Sequence, residues 1–182
     1  FRRVLFRSAD FDLISFEGTV GVAVNTTDTA AQLEIVTEIL SDGTEVTEVA
    51  DLARGTGGAA YARVDVTDAT LSIGDNVLTA DRLSFAGDGT TVDVSGENLD
   101  LIINAGTTRV LGLLDADFAL RFTDAGVAGA LRDATVLGPD LGDEFQFSGT
   151  ISGEFNTTGV QQDDLDVGGT DVDIAAGNFV RG

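Results

Sequence analysis

The sequence predicts an all-β protein, and three observations carry that prediction. Apolar residues recur with a period of two rather than 3.6. The runs have strand length and are separated by clusters of Gly, Asp and Asn, which reverse a chain. One strand pattern, closed by Asn-Thr-Thr, occurs twice. The expected architecture is an elongated, curled antiparallel sheet or a β-solenoid-like repeat. A two-sheet β-sandwich is the alternative, because both forms need one wet and one dry face.

Residues 1–8 are set aside before any element is assigned. Arg2-Arg3-Val4-Leu5-Phe6-Arg7-Ser8 reads as the translation of a sequencing-adapter end over seven consecutive codons. The competing reading is a signal peptide, which needs an apolar core of roughly 7–15 residues, and Val4-Leu5-Phe6 is too short. The remainder, about 170 residues, suffices for one sizeable core. It is then an open-ended segment of a longer protein.

The first strand pattern is Phe16-Glu17-Gly18-Thr19-Val20-Gly21-Val22-Ala23-Val24, closed by Asn25-Thr26-Thr27. Residues 28–53 are ambiguous. Thr29-Ala30-Ala31-Gln32 suits a helix cap, and Leu33, Val36 and Leu40 fit a helical face. Leu33, Ile35, Thr37 and Ile39 alternate and are mostly β-branched, and Ser41-Asp42-Gly43-Thr44 reads as a tight turn, so a hairpin is favoured. Further on, Val92 and Val94 flank Asp93, Leu99, Leu101 and Ile103 alternate, and Phe118, Leu120 and Phe122 do the same. Turns are expected at Gly74-Asp75-Asn76, Gly87-Asp88-Gly89, Gly96-Glu97-Asn98, Asn104-Ala105-Gly106, Asp124-Ala125-Gly126 and Gly138-Pro139-Asp140. The clearest strand covers residues 145–156, with Phe145, Phe147, Gly149, Ile151, Gly153 and Phe155 on one face.

That last strand matches the first. Phe147-Ser148-Gly149-Thr150-Ile151 through Asn156-Thr157-Thr158 lies 131 residues after its counterpart at Phe16. A weaker echo pairs Ala60-Tyr61-Ala62-Arg63 with Asn178-Phe179-Val180-Arg181 at a spacing of 118. The two spacings differ by 13, which implies an insertion in the first copy. The chain therefore divides into one β repeat unit over 9–142, with a hairpin insertion near 28–58, and the start of the next unit over 143–182.

Composition excludes several chemistries. Ten basic residues, all Arg, stand against 31 acidic ones, and without the three arginines of residues 1–8 the balance is −24. Such a charge repels nucleic acid and anionic lipid. It favours solubility, divalent cations or a high-salt habitat. No run approaches the roughly 20 apolar residues of a membrane helix, so no membrane insertion is expected. There is no His, Cys or Lys. Ser-His-Asp and Cys-His centres, Schiff-base lysines, thiolate sites and the usual zinc sites are thereby excluded. With no Trp and one Tyr, a stacked carbohydrate platform is poorly supplied.

Carboxylates remain. Asp115 with Asp117, and Asp171 with Asp173, sit at i, i+2, the spacing of one strand face. Among 31 acids such pairs arise by chance, so no catalytic residue is assigned. Calcium takes six to eight hard oxygens. Two loop clusters could supply some: Asp140, Asp143 and Glu144, and Asp163, Asp164 and Asp166. Exposed acidic turns are the plainer reading of both. Asn25-Thr26-Thr27 and Asn156-Thr157-Thr158 also spell glycosylation sequons, but Asn at a strand end suits a turn.

At these residues the chain resembles a family. The Gly-Thr strands closing in Asn-Thr-Thr, the aromatic-x-Arg echo, and Leu71-Ser72-Ile73 through Leu78-Thr79-Ala80-Asp81 are similar to β-rich tandem repeat modules of very large bacterial surface or secreted proteins, adhesin-like or calcium-binding by description. The resemblance spans most of residues 12–182. It implies a non-catalytic structural or adhesive repeat, extracellular or on the cell surface. Its partners would be neighbouring repeats and a surface or glycan ligand. Gly55-Thr56-Gly57-Gly58 lacks the following Asp of the glycine-rich calcium roll. Two other readings stay open: a calcium-stabilised binding module, and an accessory β domain of a carbohydrate-active enzyme.

Overall fold

The structure is a computed structural model that describes residues 14–39, 43–140 and 147–182. Residues 1–8, expected to be adapter-derived, and the expected unit boundary at 142/143 lie outside the described residues.

The described residues form twelve strands and no helix. The all-β expectation is met. In chain order the strands are β1 (Ile14–Asn25), β2 (Ala31–Ile39), β3 (Glu45–Leu52), β4 (Tyr61–Ile73), β5 (Asn76–Gly87), β6 (Thr91–Ala105), β7 (Thr108–Thr123), β8 (Gly126–Leu137), β9 (Ser148–Asn156), β10 (Gln162–Val167), β11 (Thr170–Ile174) and β12 (Phe179–Arg181). Eight of them make one antiparallel sheet in the order β1-β4-β5-β6-β7-β8-β9-β12. The other four make two separate hairpins, β2-β3 and β10-β11. The described residues thus form one large antiparallel sheet with two small hairpins. The ambiguous segment is the β2-β3 hairpin, as its β-branched alternation indicates.

Cross-strand partners share a face, so the registers sort the residues. Val22, Val64, Phe85, Val94, Leu120, Gly129 and Phe155 form one apolar row across seven strands. Asp65, Ser84, Ser95, Ala119, Ala130 and Glu154 form a row on the opposite face. On the apolar face Val66, Ala69, Ala80, Leu99, Ala116 and Ala134 make a buried cluster, with Phe118, Leu113 and Leu131 against it. That cluster comes from the sheet strands themselves. Phe85, Val92 and Phe122 on the same face stay exposed. So do Phe147 and Ile151, which the alternation alone would have buried.

Gly96 shows how tightly this face is made. A Cβ there would sit 2.3 Å from the Phe118 ring, so the ring packs directly against the glycine. The Gly96-Glu97-Asn98 cluster is therefore not a turn, as composition suggested. It is the middle of β6, where Gly makes room for an aromatic and Asn98 takes a left-handed conformation (φ 47°).

Asn98 belongs to a set. Asp68, Asp115, Asp133 and Asp164 also have positive φ, between 51° and 55°, inside strands β4, β7, β8 and β10. Asp and Asn tolerate this region better than other non-glycine residues. The pairing β6-β7 shifts register around Asn98 and Asp115, and β8-β9 shifts between Leu131 and Ala134. These are β-bulges, each of which bends its strand and slips the alternation by one residue.

Candidate functional site

The polar face and the bulges gather most of the chemistry-bearing side chains. At four of these bulges a side chain of the neighbouring strand accepts the backbone N–H of the bulge residue. Asn98 N–H donates to Asp117 Oδ1 (2.9 Å), and Asp115 N–H donates to Asp100 Oδ1 (2.9 Å). Asp133 N–H donates to Ser152 Oγ (3.1 Å), and Asp164 N–H donates to Asp173 Oδ1 (3.1 Å). Asn98 also donates from its amide to Asp81 Oδ2 (2.7 Å). A shallow depression of about 450 Å³ runs along this line, edged by Asp68, Asp81, Asn98, Asp100 and Asp115.

The two acid pairs at i, i+2 take on different meanings here. Asp115 is a bulge residue, so it does not continue the alternation of Asp117. Asp117 and Asp173 each hold a bulge N–H. Their oxygens serve the backbone.

Several charged residues form ion pairs between strands. Arg121 grips Asp93 with two nitrogens (2.8 and 2.9 Å), and this bond, against the cost of burial, raises its affinity for its proton. Arg82 reaches Asp65 (3.0 Å) and Glu97 (3.6 Å). Burial, then the nearby Asp166, Asp117 and Asp81, raise the Glu97 carboxyl above its ordinary value. Glu154 accepts from Arg132 and Arg181, and those two hydrogen bonds hold its carboxyl below the ordinary value. Asp88 pins a loop. Burial opposes its ionisation, but the N–H groups of Thr91 and Thr90 and the hydroxyls of Thr56 and Thr91 outweigh it and hold the carboxyl far down.

The β10-β11 hairpin lies on the polar face. Leu165, Val167 and Ile174, all at most 3% exposed, pack on Ala119, Ala128 and Ala130. Alanines on β7 and β8 leave the depth that this hairpin fills. Gly168 and Gly169 turn it with φ 59° and 75°, the type I′ geometry of two-residue hairpins. Gly168 lies against Asp117, where a Cβ would meet Oδ2 at 2.3 Å. Arg121 ties the hairpin down by donating to Asp163 O (2.7 Å).

The sequence-selected acids are dispersed among these roles. Asp143 and Glu144 lie outside the described residues. Asp140 gives its N–H to Arg109 O (2.8 Å). Asp163 accepts from Gln161, Asp164 is a bulge, and Asp166 stands opposite Asp171 in the hairpin. Among the described residues, no three acidic side chains come together in a group that could hold a metal ion.

The two Asn-Thr-Thr segments do converge on one geometry. Asn156 is fully buried. Its amide donates to Val160 O (2.7 Å) and Ala175 O (2.8 Å), and its Oδ1 accepts from the N–H (2.8 Å) and hydroxyl (2.8 Å) of Thr158. Asn25 is 4% exposed. It donates to Thr29 O (2.8 Å) and Ala53 O (3.0 Å), and accepts from the N–H (3.0 Å) and hydroxyl (2.7 Å) of Thr27. Each Asn thus clamps the entry and exit of a hairpin to a sheet strand. Beyond the clamp the pairing also repeats. Asn25 stands opposite Tyr61 and Ala23 opposite Arg63, while Asn156 stands opposite Phe179 and Glu154 opposite Arg181. The sequons are therefore structural, with both Asn amides inside.

No family model, curated protein or solved structure matches the chain.

Proposed function

We propose that this chain is a non-catalytic structural segment of a tandem β-repeat protein, secreted or on a cell surface, that extends a continuous sheet from unit to unit. One observation carries the reading: the Asn25 and Asn156 clamps make the same set of bonds on two strands, β1 and β9, far apart in one sheet. In this view a unit is a clamped strand, a hairpin laid on the face and a run of meander strands. β9 to β12 open the following unit. The bulges on β4, β6, β7 and β8 support a curled sheet, because bulges bend a strand and add twist. An array of this kind buries its edges, which a single unit would expose.

The test is the reading frame on both sides. Further strands ending in Asn-Thr-Thr are expected at a spacing near 131 residues. A full-length gene with no further copy ends the proposal.

A further inference from the structure

The two clamped strands differ in their surroundings. β9 has β8 on one side and β12 on the other, whereas β1 has β4 on one side and, among the described residues, is the sheet edge on the other. The β8-β9 seam therefore displays what a neighbour on β1 would look like. In that seam Ala128 stands opposite Asn156, Ala130 opposite Glu154 and Leu131 opposite Gly153. Thr157 closes it: its N–H (2.9 Å) and hydroxyl (2.8 Å) donate to Val127 O, and its Oγ accepts from Val127 N–H (2.9 Å). Gly126 permits the approach, since a Cβ there would be 2.7 Å from Thr157 Oγ. The residue of the first copy equivalent to Thr157 is Thr26, which is exposed beside the β1 edge.

We infer that the edge of β1 is a strand-docking site whose occupant is a β8-type strand from a second copy of the unit. It binds antiparallel, with Ala128 opposite Asn25 and Ala130 opposite Ala23, and its Val127 is held by Thr26. Main-chain bonds along an exposed sheet edge supply affinity in such docking, and alternate side chains supply register. This inference rests on the repeat reading, and the seam adds the partner strand and the register.

Two positions set the strength of the fit. Ser152, which accepts from Asp133 N–H, is replaced in β1 by Gly21. Glu154, which bridges Arg132 and Arg181, is replaced by Ala23, with Arg63 standing where Arg181 does. A Cβ at Gly21 would meet nothing nearer than Asp65 O at 3.9 Å, so a serine has room. The β8 strand of this chain thus fits β9 better than β1. The G21S/A23E variant would copy the β9 side of the seam.

The experiment uses the whole chain and a peptide of β8 (Gly126–Leu137) with four appended aspartates for solubility. Cysteine is absent from the chain, so introduced thiols report contacts without background. Oxidation should link a peptide carrying A130C to the A23C chain at least about tenfold faster than to the V24C or V180C chains, because directly opposed strand residues bring Cβ atoms to about 5 Å while neighbours point away. By anisotropy, G21S/A23E should bind the peptide about tenfold more tightly than the parent chain, and T26V several-fold more weakly, with each variant checked for unchanged circular dichroism. Equal linking at all three cysteines, or no difference between parent and G21S/A23E, overturns the docking site. The two proposals fail separately. Specific linking at Ala23 would stand even if the gene held no further copy. Further copies in the gene would not rescue the site if linking were non-specific.

Discussion

The two hairpins hang from the same asparagine clamp and yet sit in different settings. β10-β11 lies on β6, β7 and β8 and buries Leu165, Val167 and Ile174. Among the described residues β2-β3 meets the sheet chiefly at β1, and Val46 and Val49 on it are exposed. The floor of the second hairpin consists of strands that precede its clamped strand in the sheet. The first hairpin has no such strands among the described residues, because β1 is the edge. The difference teaches that the clamp fixes where a hairpin leaves the sheet, while the preceding strands decide whether it is packed.

The largest expected effect comes from removing the packing of the second hairpin. Ile174 is fully buried, so Ile174→Ala should cost about 3–4 kcal/mol in urea unfolding. Val49→Ala, on the exposed hairpin, should cost within about 0.5 kcal/mol. Equal losses would mean that both hairpins are packed alike. Next come the clamps. Asn156→Ala strands two carbonyls and an N–H in the interior and should cost about 2–3 kcal/mol. Asn25→Ala removes the same bonds but less packing, and about half that loss is expected; a larger loss than at Asn156 would invert the comparison.

Smaller effects arise from the charges. The folded-state pKa of Glu154 is lowered by Arg132 and Arg181, so its contribution is present above the ordinary glutamate range. It is lost as pH falls through the folded value. Glu154→Gln should therefore cost about 1 kcal/mol at pH 7 and converge with the parent in acid. The sign reverses at Glu97, whose folded pKa is raised. Ionised Glu97 is then unfavourable above its folded pKa. Glu97→Gln should stabilise slightly at pH 7 and lose that advantage as pH drops below the ordinary glutamate value, which paired melts at pH 7 and pH 3.5 would reveal.

Much of this was legible in the sequence because period-two alternation is a local property. The strand ending at Asn156 has the facing that its alternation assigns, and the turns at Gly74, Asp88, Gly106 and Asp124 fall where composition puts them. Burial on the apolar face was not legible, since nothing among the described residues covers Phe147 and Ile151. The bulges were missed for a different reason. Gly96-Glu97-Asn98 has turn composition, and only the context of two long flanking strands makes it a bulge. A signal was present nonetheless: Asp68-Ala69, Asp115-Ala116 and Asp133-Ala134 each interrupt an apolar alternation and shift its phase by one. The acids that suggest calcium are neighbours in sequence only. A strand sends adjacent side chains to opposite faces, which separates Asp163, Asp164 and Asp166 into three roles.

The direction in which the hairpin lies has a kinetic consequence. In an array each hairpin would come to rest on strands already synthesised, since β6, β7 and β8 precede β10 along the chain. Every unit would then complete itself backwards, on its predecessor, and none would wait for its successor. Assembly would follow the order of synthesis, and the least protected unit would be the first, whose hairpin has no preceding unit to rest on.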